Sequence, residues 1–152
     1  MIAVRGWLHI GALVIPLVAG VAWTLLLFRD DLAGGLLKSL YFAVPAIVAA
    51  QAIALLRWRA LERRATAGEG GWKTGLGMAA LTHALFGVLL AVALALAVGL
   101  SKWWVDSGVW NLIGQAAFFA VASIGAAGVI TFPGTALLAQ RIASLRQREL
   151  AR

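Results

Sequence analysis

The sequence has no cysteine, and only 12% of its 152 residues carry charge. Without cysteine, disulfides, thiolate nucleophiles and cysteine-ligated metals or clusters are excluded. So little charge excludes an ordinary water-soluble domain, in which about a quarter of residues are Asp, Glu, Lys or Arg. Acids are scarcest of all. Asp30, Asp31, Glu62, Glu69, Asp106 and Glu149 are the full set, and none lies inside a long apolar run. Proton-coupled transport relies on ionisable groups within the membrane, so any such mechanism would have to work without a carboxylate. No Ser–His–acid set, paired carboxylates, metal-ligand spacing or glycine-rich phosphate loop is present. The chain is therefore expected not to be an enzyme and to need no metal or cofactor. The "GEGG" at 68–71 reads as a flexible turn between charged flanks.

What the sequence does have is apolar length. Hydrophobic residues make up 62%, and mean hydropathy is +0.93. Runs of 18 or more apolar residues read as membrane helices, and four are present, at about 7–28, 36–58, 74–100 and 110–132. Short connections join them into one membrane domain over 1–152, an all-α, four-helix up-and-down bundle. The first run exceeds the roughly 7–15 apolar residues of a cleavable signal, so it is expected to be retained. Past residue 132 the motif "TFPG" intervenes, and proline commonly kinks or ends a helix. Beyond it, Leu138, Ile142 and Leu145 share one side, while Gln140, Arg141, Ser144 and Arg148 lie largely elsewhere. This predicts an amphipathic cytoplasmic tail over about 135–150; the competing reading is a longer, kinked fourth helix.

The net charge of +7 is explained by its distribution. Arg5, Arg57, Arg59, Arg63, Arg64, Lys73, Arg141, Arg146, Arg148 and Arg152 fall at one end of such a bundle, against Arg29, Lys38 and Lys102 at the other. Short loops rich in Lys and Arg stay cytoplasmic, so both termini are expected in the cytoplasm, with the protein in a bacterial inner membrane. The cations would also attract anionic headgroups, and no nucleic-acid partner is expected. Trp7, Trp58 and Trp72 at one interface, and Trp103, Trp104 and Trp110 at the other, fit the anchoring role of amphipathic rings.

The two halves resemble each other. "FAVPAIVAA" at 42–50 parallels "FAVASIGAA" at 119–127, "ALLRWR" at 54–59 parallels "ALLAQR" at 136–141, and His9 corresponds to His83. The offset grows from 74 to 82 residues, so the comparison needs insertions. A tandem repeat of a two-helix hairpin would account for it, an arrangement some transporters use around a pathway.

Within lipid, helices associate through small residues and occasional hydrogen bonds. In the third run His83, Gly87, Ala91, Ala95 and Gly99 recur every fourth residue, a ridge that should face another helix. The fourth run carries Asn111, Gln115, Ser123, Thr131 and Thr135. Counting at about 1.5 Å per residue puts His83, Gln51 and Ser123 at similar depth, a polar intramembrane layer. The same count leaves His9 only about 3 Å inside, where it should snorkel to the interface. Bis-histidine haem ligation by His9 and His83 would need both rings at one level, and their estimated offset is about 10 Å. Abundant packing residues without intramembrane acids point to an accessory, regulatory or immunity-type subunit, partnered by another membrane protein or by itself. The alternative is a small transporter, with His83 as its one deeply placed titratable group.

Overall fold

The computed structural model describes residues 2–27, 31–98 and 100–151. The described chain is all-helical: α1 (Ile2–Leu27), α2 (Leu32–Thr66), α3 (Trp72–Val98) and α4 (Leu100–Leu150). Each contains a segment long and apolar enough to cross a membrane, as expected of an integral membrane protein. Around the bundle, α1 packs on α2 and α4, and α3 packs on α2 and, most extensively, on α4. The backbones of α1 and α3 make no close approach among the described residues.

Local chemistry sets the helix ends. Asp31 caps α2, its Oδ1 accepting from the Gly34 amide at 3.0 Å, which satisfies one of the free first-turn donors. At the other end Gly68 takes φ 76°. Its amide bonds the Ala65 carbonyl and the Glu69 amide bonds the Arg64 carbonyl, at 3.1 and 2.9 Å. That pairing is a Schellman stop, and it favours glycine because a left-handed φ crowds any Cβ. The "GEGG" segment is thus a defined turn, not a loose linker. It is also tied to α4: Gln147 Nε2 donates to the Glu69 carbonyl, and the Trp72 amide donates to Gln140 Oε1. A second left-handed glycine, Gly108 (φ 62°), interrupts α4 near its start, just before the expected run from about 110.

The end of α4 follows the competing reading, a longer fourth helix. The segment at 135–150 is not a separate tail lying on the membrane surface. It continues α4 through Pro133 and enters the core. Ala139, Ile142 and Ala143 are fully buried in a cluster with Val4 and Leu8 of α1, Ile53, Ala54, Leu61 and Ala65 of α2, and Met78 of α3. Pro133 removes the donor for the Val129 carbonyl, yet the helix persists. Burial of this apolar stripe against three helices offsets a loss confined to one turn. The stripe that reads as a surface-seeking face is in fact a core face.

The small-residue row of α3 is longer than the spacing from His83 alone suggests. It begins at Gly71 and runs through Gly75, Ala79, His83, Gly87, Ala91 and Ala95, all buried; Gly99 lies outside the described residues. Several of these positions meet α4 backbone directly. A Cβ on Gly87 would strike the Ala116 carbonyl oxygen and come within 2.8 Å of the Ala120 amide nitrogen. One on Gly75 would come within 2.6 Å of the Thr135 carbonyl oxygen. Gly77, by contrast, faces open space. Because backbone cannot withdraw as a side chain can, Gly87→Val should cost about 1–3 kcal/mol, the usual range for overpacking. Gly77→Val should change stability by no more than about 0.5 kcal/mol. Unfolding titrations of the two variants in mild detergent measure the contrast.

Candidate functional site

His83 occupies the middle of the buried row, 5% exposed, and both ring nitrogens are engaged. Nδ1 lies 2.8 Å from Ser123 Oγ and Nε2 lies 2.7 Å from Thr131 Oγ1. Phe132 stacks on the ring at 5.6 Å between centroids and 12° between planes. The imidazole thus bridges two turns of α4. Its tautomer follows from its neighbours. Ser123 Oγ donates its single proton to the Ala120 carbonyl at 2.8 Å, so toward the ring it can only accept. Nδ1 therefore carries the hydrogen, Nε2 presents a lone pair, and the Thr131 hydroxyl donates to it. A one-way chain results, from Thr131 to His83 to Ser123 to the α4 backbone.

Gln51 does not join this layer. It pairs with His9 in the other hairpin, with Oε1 2.8 Å from His9 Nδ1 and Nε2 donating to the His9 carbonyl at 2.9 Å. His9 is accordingly half-buried and turned toward α2. Depth counting placed Gln51 and His83 at one level but could not tell which helix each faces. The two histidines that align between halves are each bonded to the second helix of their own hairpin. Further ties sit toward the opposite end: the hydroxyls of Thr24 and Ser39 pair across α1 and α2, and Trp23 Nε1 donates to the Ala126 carbonyl of α4 at 2.8 Å. Thr131 is the partner the depth estimate missed. Its signal was its place, with Ser123, in the polar row of the fourth run.

Between the hairpins, beside His83, lies a cavity of about 40 Å³. Pro16, Met78, Thr82, His83, Thr131 and Thr135 are among the residues that line it. A bis-histidine haem does not fit this arrangement. Both nitrogens of His83 and one of His9 are already bonded, and the cavity is far smaller than a porphyrin. Comparison with known proteins adds no relative: no family model, curated protein or solved structure matches the chain.

The bonds of His83 should be measurable as a coupling. A double-mutant cycle of His83→Ala and Thr131→Val should give about 0.6 kcal/mol, and no more than about 1.7, the span found for hydrogen bonds between membrane helices. Additive losses would show the contact to be energetically silent. Ring ¹⁵N shifts should report the Nδ1–H tautomer, which Ser123→Ala should disturb.

Proposed function

We propose that the chain is a non-catalytic, multi-pass protein of a bacterial inner membrane that acts by association, as an accessory, regulatory or immunity-type subunit or as a homo-oligomer. The observation that carries this reading is the outward face of α4. Gly114, Ala117, Ala122 and Gly125 are exposed there, interspersed with the bulkier Phe118, Val121 and Val129, and a Cβ on Gly114 or Gly125 would meet nothing. The outward face of α1 is instead built from Ile10, Leu13, Val14, Leu17 and Val18, bulky side chains suited to lipid. Small outward residues let a further helix come close enough for dispersion and backbone contact, which drive association where the surroundings are equally apolar. The engaged histidines fit a role without chemistry.

The same reading places both termini in the cytoplasm. Among the described residues nine cations, Arg5, Arg57, Arg59, Arg63, Arg64, Lys73, Arg141, Arg146 and Arg148, lie at the end where α2 hands over to α3. Of the acids there, Glu69 pairs with Arg64 while Glu62 and Glu149 pair with Arg146. The surplus cations are left for the anionic inner leaflet, at about 1 kcal/mol each near the surface. Reporter fusions at the two termini should both score cytoplasmic, and one inserted near residue 30 should score external; the reverse pattern would sink the orientation.

For association, site-specific photocrosslinking from Gly125 in native membranes should give a discrete adduct with a second copy or another membrane protein. Gly114→Leu with Ala117→Leu should abolish it while leaving unfolding of the bundle unchanged. Only lipid adducts at this position would overturn the proposal. One observation favours a second reading: the cavity beside His83 lies between the two hairpins, where a transporter of repeated hairpins would place its pathway. Flux in proteoliposomes that collapses in His83→Ala would select it.

A further inference from the structure

The cavity beside His83 is lined mostly by apolar surface, but residues with polar groups reach it from three helices. On α1, Pro16 has no N–H to give the Ala12 carbonyl four residues back, and both residues line the space. From α3 comes Thr82, and from α4 Thr135; neither hydroxyl forms a hydrogen bond within the chain among the described residues. Thr131, whose hydroxyl caps His83 Nε2, lines the same space. Unpaired carbonyls and hydroxyls at membrane depth are costly, and they are tolerated where water can reach them. A water needs roughly 10–15 Å³ of such space and two to four polar partners. About 40 Å³ satisfies the first requirement, and the carbonyl and hydroxyls satisfy the second.

We propose that this cavity is a hydration site, in which at least one water bridges the Ala12 carbonyl of α1 to the hydroxyls of Thr82 and Thr135. It ties the first hairpin to the second at a level where, among the described residues, no direct side-chain bond does so. It also extends the chain through Thr131, so that His83 is in contact with exchangeable protons inside the bilayer. The inference is independent of whether the chain acts by association.

Water-edited solid-state NMR of the protein in liposomes tests it. Magnetisation from water should reach Thr82, Thr135 and the His83 ring, while Leu17 and Val18, exposed on α1, define the lipid-facing baseline. Thr82→Val with Thr135→Val removes the hydroxyls at nearly constant volume and should abolish transfer to the His83 ring. Pro16→Ala, which restores the donor to Ala12, should weaken it. Transfer to Thr82 and Thr135 no faster than the α1 baseline in the unmodified protein would overturn the proposal, whether or not the variants fold. Transfer unchanged in the double variant would overturn it equally, since the water would then not depend on these groups.

Discussion

Close backbone approach between α3 and α4 is the constraint on which the rest of the bundle depends. Lipid tails are as apolar as leucine, so burying apolar side chains gives little net drive for one membrane helix to find another. What remains is dispersion at short range and the occasional hydrogen bond. Dispersion is worth having only where surfaces meet without gaps. The row from Gly71 to Ala95 provides that surface, with α4 backbone lying directly over Gly75 and Gly87. Because His83 stands in the same row, its ring is pressed into α4 rather than left in lipid, and hydroxyls at Ser123 and Thr131 meet it there. A bulkier row would hold the helices apart and leave the imidazole without partners.

This dependence explains what was legible in the sequence. Four apolar runs, their alternation, and the helix-facing side of His83 follow from composition and a four-residue spacing, and the structure has them. Ser123 as a partner followed from depth. Gln51 and His9 were misplaced for two reasons: depth along an axis says nothing about azimuth around it, and counting from the ends of the apolar runs set His9 shallower than Gln51, although the two bond each other. The end of α4 was misread for a related reason. An apolar stripe with a polar opposite side looks the same whether it rests on headgroups or on other helices, and the surface that buries it is assembled from three helices, including the extension of α2 to Leu61 and Ala65 beyond its apolar run. The "GEGG" turn looked loose because its order comes from Gln140 and Gln147, some seventy residues away.

Proline illustrates how differently one residue type can act within a single chain. Pro133 lies on an exposed side of α4, where the helix runs on because burial beyond it holds the register. Pro16 is buried beside the space between the hairpins, where its missing donor leaves the Ala12 carbonyl without a helical partner. The backbone chemistry is the same in both; the surroundings decide whether it is absorbed or exposed to use.

The pairing of each histidine within its own hairpin bears on how the protein is made. A membrane chain emerges helix by helix, and a polar side chain that reaches lipid unpaired resists partitioning there. His9 meets Gln51 on the very next helix, and His83 meets Ser123 and Thr131 on the very next helix. Each hairpin can therefore leave the insertion machinery with its imidazole already satisfied, and neither must wait for the other half of the chain. Joining the two hairpins then becomes a later, separate event, governed by the Trp23 contact to α4 and by the shared core at the cationic end.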